Sequence, residues 1–291
     1  MELDLAIPQI RRIVQIALEE DLGLGDPTTD ILIHPEMQGW GDFLVKSEGV
    51  LAGLPVMALL FNEIDPSLKF QALAKDGDRV HPGDIVARVH GRVTAILKGE
   101  RVALNFLQQM SGVATETARY VAAVADLPCR IIDTRKTTPG LRLLEKHAVR
   151  MGGAYNHRQN LEDGILIKDN HLVALRSQGV GLGEAVRRAR QEASHTVKIE
   201  VEVESFSEAQ EAVEAGADII MMDNMPVPEI SRTVSWVAGR AVTEASGGVT
   251  LNNVRQVAET GVSLIAVGAI THSAKSLDIG LELYMEKSEG S

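Results

Sequence analysis

Six short apolar runs punctuate the second half of the chain: CRIIDT (129–134), GILIKD (164–169), VKIEVEVE (197–204), DIIMMDN (218–224), AVTEAS (241–246) and LIAVG (264–268). Each has the length of a strand and ends in polar residues or glycine. Between the last four lie SFSEAQEAVEAGA (205–217), VPEISRTVSWVAG (227–239) and LNNVRQVAETGV (251–262), with apolar positions at helical spacing and glycine near their ends. Strand–helix units repeated in this way predict a parallel sheet with helical crossovers. The strand-end residues Glu202, Asp223, Ser246 and Gly268 stand 21 to 23 residues apart. So short and even a period points to a closed (β/α) barrel rather than an open sheet.

Residues 1–110 lack this rhythm. An amphipathic helix ends at Leu22-Gly23, and GDPTTD (25–30) reads as a turn with capping residues. DFLVKSEGVLAG (42–53) follows, then a short helix around PVMALLFNEI (55–64), while LKFQALAKDGDRV (68–80) and DIVARVHGRVTAIL (84–97) read as strands with glycine turns. GERVALNFLQQMSGVATETARYVAAVAD (99–126) reads as one long helix. Near the other end, SLDIGLEL alternates Leu277, Ile279, Leu281 and Leu283 with Asp278, Gly280 and Glu282, a half-buried strand. Its expected partner is the antiparallel sheet of the first domain. The division is therefore 1–110 with 274–291 as a smaller discontinuous domain, and 111–273 as the barrel.

Composition narrows the function classes. The 291 residues carry 29 Lys+Arg against 40 Asp+Glu, a formal net charge of −11, which argues against general nucleic-acid binding. It leaves room for a small anion in a local basic pocket. No apolar run is long enough to span a membrane and no signal-peptide pattern opens the chain. The single cysteine, Cys129, suits a reducing cytoplasm and reads as a core-edge residue rather than a reactive thiol. A cytoplasmic protein is expected.

Barrel chemistry sits where strands end at their C-terminal side. Here those ends carry residues a core would not choose: Asp133, Arg135 and Lys136; then Asn156, His157 and Arg158; then Lys168 and Asp169; then Glu202, Asp223, Ser246-Gly247-Gly248 and Gly268. Arg135, Lys136, Arg158 and Lys168, with His157, form a cationic cluster that calls for a multiply charged anion, since buried like charges are costly alone. The alternative is ion pairing with Asp133, Asp163 and Asp169, or a solvated face. The glycines before the helix expected near Leu251, and at the last strand end, suit a phosphate; singly, each could be a helix cap or tight turn. Glu200, Glu202 and Glu204 share one face of their strand. At least one should meet a hydroxylated or metal-bound ligand, while Glu200 could be a structural partner for a lysine. No zinc pattern exists among the histidines.

With these motifs placed, the chain resembles the quinolinate phosphoribosyltransferase (nicotinate-nucleotide pyrophosphorylase) family nearly end to end. The carriers are EDLGLGDPTTD (20–30), GERVALNFLQQMSG (99–112), DTRKTTPGLR (133–142), GGAYNHR (152–158), LIKDNH (166–171), IEVEVES (199–205), AGADIIMMDN (215–224) and EASGGVT (244–250). Ala154 and Asn160 stand where members often have glycine.

The resemblance implies an α/β fold: an incomplete (β/α) barrel of six or seven strands plus a smaller α/β sandwich domain. It implies a pentosyltransferase joining quinolinate to 5-phosphoribosyl-1-pyrophosphate, with nicotinate mononucleotide, pyrophosphate and CO2 as products. It also implies a homodimer with a shared active site, in some members stacked into a hexamer. Arg101, which the pattern alone places at a solvated helix start, would reach the partner's site. Arg135, Arg158, His157 and the partner's Arg101 would clamp the quinolinate carboxylates. Lys136 and Lys168 would serve quinolinate and the phosphates; Glu202 and Asp223 would serve the ribose hydroxyls, Mg2+ and the developing cation at C1. Ser246, Gly247, Gly248 and Gly268 would hold the 5-phosphate. Mg2+ would be bound mainly through the pyrophosphate substrate, with no dedicated metal ligand assigned. Competing readings are a Schiff-base lyase using Lys168 or Lys136, a non-catalytic metabolite-binding homologue, and a related transferase for a monocarboxylate such as nicotinate.

Overall fold

The computed structural model describes residues 8–286, so the first seven residues of the segment read as an amphipathic helix, and the last five of the chain, lie outside the described residues. In chain order the elements begin α1 (Pro8–Leu22), α2 (Pro27–Leu32), β1 (Gln38–Val45), β2 (Gly49–Val50), α3 (Leu54–Ile64), β3 (Lys69–Ala72), β4 (Arg79–Val80) and β5 (Ile85–Arg92). There follow α4 (Val93–Ala123), β6 (Arg130–Ile132), α5 (Arg142–Met151), β7 (Ile165–Ile167), α6 (Asp169–Arg176), α7 (Leu182–Glu192), β8 (Ile199–Val203) and α8 (Phe206–Glu214). The last are β9 (Ile219–Asp223), α9 (Val227–Val237), β10 (Val242–Ser246), α10 (Val254–Ala258), β11 (Leu264–Ala266), α11 (Ala269–His272) and β12 (Ile279–Met285). None of the described helices is long and apolar enough to cross a membrane.

The chain forms two compact units. One comprises the described parts of Met1–Ala118, Thr137–Gly153 and Ile270–Ser291. Its four-stranded sheet has the order β12-β1-β5-β3 and is antiparallel throughout. The period-two strand near the end of the chain thus pairs as expected: β12 runs along β1, with Phe43 opposite Leu281. Helix α1 buries Ile10, Val14 and Leu18, one apolar residue per turn. Two local readings change. GDPTTD is not a bare turn: Asp26 caps a short helix, accepting the Thr29 N–H at 3.1 Å, with Pro27 at its first position. Helix α4 starts at Val93, taking VTAIL away from the strand read there, because β5 passes into it without a loop. Helix α5 buries Glu145 and His147; the Glu145 carboxylate accepts the Thr138 N–H, and His147 meets Asp76, which also takes the N–H groups of Gly53 and Leu54 at the start of α3.

The other unit comprises Arg119–Lys136 and Ala154–Ala269. Its six strands are parallel, in the order β6-β11-β10-β9-β8-β7. The sheet curls on itself, since side chains from all six strands line one cavity of about 370 Å3. A lone parallel bridge between Ile132 and Tyr155 adds a vestigial seventh strand beyond β6. No ladder among the described residues joins this edge to β7, so the barrel is incomplete. The even spacing alone had pointed to closure; the chain between Tyr155 and Ile165 bends and turns instead of pairing. Helices α7, α8 and α9 each bury one apolar stripe: Ala185 and Val186, Ala209 and Ala212, Ile230 and Val237.

Candidate active site

Inward-facing residues of a barrel strand alternate with those facing the helices. In β8 this turns Glu200 and Glu202 inward, while Glu204, the third carboxylate of that face, falls beyond the strand and is exposed. The same alternation turns Met221 and Asp223 of β9, and Glu244 and Ser246 of β10, to the interior. A cavity of about 200 Å3 opens at the C-terminal ends of these strands. Arg135, Lys136, His157, Arg158, Lys168, Glu202, Asp223 and Ser246 all line it. Eight residues predicted from strand ends therefore meet on one surface. Gly247 and Gly248 continue the chain from Ser246 with φ of 84° and 63°, the left-handed region glycine enters freely. Gly268 stands between β11 and α11, while Arg101 is exposed on α4 within the other unit. Helix α10 starts at Val254 rather than near Leu251, and it is only five residues long, so the glycine turn is a strand-to-loop corner and not a helix start.

Asp133 organises one side of the site. It has no exposed surface, its Oδ1 accepts the His157 N–H at 2.7 Å, and its Oδ2 accepts the Asn156 amide at 2.8 Å. These bonds pin the segment that crosses the barrel's open seam. Arg158 then reaches across that seam, donating to the Gly164 carbonyl at 3.2 Å, while its buried Nε has no hydrogen-bond partner. Burial and the neighbouring Arg135 weaken the Arg158 guanidinium's hold on its proton, and Glu200 and Asp163 oppose them. Two guanidiniums lining one half-buried wall are what an anionic ligand relieves.

Lys168 pairs with Glu202 across the cavity at 3.0 Å. Deeper in the barrel His157 meets Glu200 at 3.2 Å and Glu244 at 3.8 Å. Glu200, read as a partner for a lysine, is thus the partner of a histidine. Glu244 is only 1% exposed and its Oε1 has no hydrogen-bond partner. Burial first, then the charge of Glu200, push its carboxyl well above the usual carboxylate range, against the pull of Lys168. Sequence reasoning passed over Glu244. Its one signal was position: it shares the inward face of β10 with Ser246, two residues on.

An incomplete α/β barrel with four cations, a histidine and two carboxylates around its C-terminal mouth defines the class: a barrel enzyme built for small, strongly anionic substrates. The family follows from the chain itself. The N-terminal domain of the quinolinate phosphoribosyl transferases matches residues 26–111 and their C-terminal domain matches residues 113–282, and the chain belongs to this family. A probable nicotinate-nucleotide pyrophosphorylase (carboxylating) of Bacillus subtilis is 44% identical over 275 residues, covering 94% of this chain and 93% of that protein. The mitochondrial quinolinate phosphoribosyltransferase (decarboxylating) 2a of Nicotiana tabacum is 40% identical over 296 residues, covering 95% and 83%. Among solved structures, NadC from Streptococcus pyogenes superposes with a TM-score of 0.93 at 42% identity, covering 98% of this chain and all of that one.

Proposed function

We propose that this chain transfers the phosphoribosyl group of 5-phosphoribosyl-1-pyrophosphate to quinolinate and decarboxylates the product, yielding nicotinate mononucleotide, pyrophosphate and CO2 for NAD biosynthesis. The observation that carries the reading is the gathering of Arg135, Lys136, Arg158 and Lys168 on one small cavity with Glu202 and Asp223.

Quinolinate is a dianion, and a guanidinium meets a carboxylate with two parallel hydrogen bonds. Arg135 and Arg158, with His157, hold its carboxylates and orient the ring nitrogen toward C1 of the ribose. Lys136 and Lys168 neutralise carboxylate and phosphate oxygens; for Lys168 this means exchanging its bond to Glu202 for one to substrate. As the nitrogen–C1 bond forms, the C1–oxygen bond to pyrophosphate breaks. Positive charge grows on the ribose ring, and Glu202 and Asp223 stabilise it and accept hydrogen bonds from its hydroxyls. Ser246, Gly247, Gly248 and Gly268 take the 5-phosphate. The carbon–carboxylate bond then breaks with its electron pair left on the ring, stabilised by the pyridinium, and a proton replaces CO2. The protein's part in that second step is orientation and exclusion of water.

Glu202 and Asp223 offer hard oxygen donors on one wall, a set that fits Mg2+ shared with substrate phosphates. When bound, the ion supplies charge neutralisation for the leaving pyrophosphate. We further propose a cytoplasmic homodimer in which Arg101 of one protomer completes the site of the other, with stacking into a hexamer as a further step.

The deciding assay supplies purified protein with quinolinate, phosphoribosyl pyrophosphate and Mg2+, and follows nicotinate mononucleotide and CO2. Nicotinate in place of quinolinate should give no product; turnover of nicotinate would overturn the substrate assignment. Arg135→Ala should abolish quinolinate binding and spare the phosphoribosyl donor.

A further inference from the structure

Asn224 follows Asp223 at the end of β9. With φ of 53°, it and Ala238 are the two non-glycine residues with a left-handed backbone among those described. Ala238 simply ends α9. Asn224 sits instead between two loops that carry site residues. Its N–H donates to the Ser246 carbonyl at 2.9 Å, tying β9 to β10 just past their last paired residues, Asp223 and Ser246. Its side-chain Nδ2 donates to Oδ2 of Asp223 at 2.8 Å. A carboxylate only accepts, so the amide nitrogen must be the atom facing it. The rest of the amide lies against the glycine turn: a Cβ on Gly247 would stand 2.4 Å from Asn224 Oδ1 and 2.5 Å from its Cγ. Gly247 is therefore demanded twice over, by its own φ and by the neighbouring amide.

We infer that Asn224 is a positioning residue, whose amide sets the Asp223 carboxylate and seats the Ser246–Gly248 turn at the same time. A residue needed only to make the left-handed turn would not require this side chain, because glycine enters that region more freely than asparagine. One amide bonded to a site carboxylate and packed on the adjacent glycine turn is a coupling that a turn alone does not explain. The inference deepens the proposed reaction and rests on it for its substrates: Asp223 serves the ribose and the turn serves the 5-phosphate, so both belong to the phosphoribosyl donor and neither to quinolinate.

Three variants of the full chain test it. Asn224→Gly keeps the backbone and deletes the amide. It should retain the wild-type melting temperature and quinolinate KM, yet lose about tenfold or more in kcat/KM for the phosphoribosyl donor. Asn224→Asp removes the donor and sets a second carboxylate beside Asp223, so it should lose more. In an Asp223→Asn background the Asn224→Gly loss should shrink to the part that acts through the glycine turn, the signature of coupled neighbours. Full donor kcat/KM in Asn224→Gly, or an undiminished loss in the Asp223→Asn background, would overturn the inference. Should the wild-type protein fail to make nicotinate mononucleotide, the reaction is wrong and the crystal structure of Asn224→Gly judges the positioning instead. Asp223 and the Ser246–Gly248 turn should then be displaced, and finding both unmoved would overturn it.

Discussion

Glu244 is a carboxyl group with almost no water, an unbonded oxygen and a second carboxylate close by. Its folded-state pKa is raised, by burial first and then by Glu200, above an ordinary value of 4.5. The sign follows directly: its contribution to stability is complete below that ordinary value and is lost as pH rises toward the folded one. Glu244→Gln, neutral at every pH, should match wild type near pH 4 to 4.5 and melt higher than wild type as pH rises. Thermal melts across that range check it, and a variant less stable than wild type at pH 7 would contradict it. Asp133 presents the opposite case. Truncation to Ala removes the buried carboxylate that accepts the His157 N–H and the Asn156 amide. The expected cost is about 1–3 kcal/mol in all for the lost hydrogen bonds, visible in urea unfolding, together with a raised quinolinate KM.

At the scale of elements, α4 shows why propensity is a poor guide to a packed helix. Gly112 lies in the middle of it, where Ala is favoured by about 1 kcal/mol in an open helix. Here a Cβ at 112 would stand 2.2 Å from the Lys275 carbonyl oxygen, a backbone atom that cannot swing aside. Gly112→Ala should thus destabilise by about 1–3 kcal/mol, the usual cost of overpacking, despite its better propensity. Chemical denaturation with an unchanged m-value would measure it. The elements themselves were readable: all six apolar runs became β6 to β11, and SLDIGLEL found β1. The boundaries that moved were junctions, such as Val93, where a strand runs into a helix and no punctuating residue marks the change.

The whole molecule brings in a question of assembly. If Arg101 completes a neighbouring protomer's site, Arg101→Ala and Arg135→Ala should each be inactive alone. Mixed and reassembled, they should recover about a quarter of wild-type activity, because half the two-fold dimers are mixed and each holds one intact site. No recovery after verified subunit exchange would place Arg101 outside the site.

Periodicity was enough to foretell parallel strands, their helical crossovers and a polar C-terminal mouth, because which way a side chain points depends only on counting along a strand. Glu202, Asp223 and Ser246 were legible for that reason, and Arg135, Lys136 and Lys168 because they follow closely on the ends of their strands. Other features rest on contacts between residues distant in the chain, or on a backbone angle, and no local pattern encodes either. The open seam between Tyr155 and Ile165 is one, since a missing ladder is a property of two edges. The meeting of His157 with Glu200 and Glu244 is another, set by how far around the barrel three separate strands and loops carry their side chains. So is the left-handed turn at Asn224, which acquires meaning only once Gly247 is folded against it.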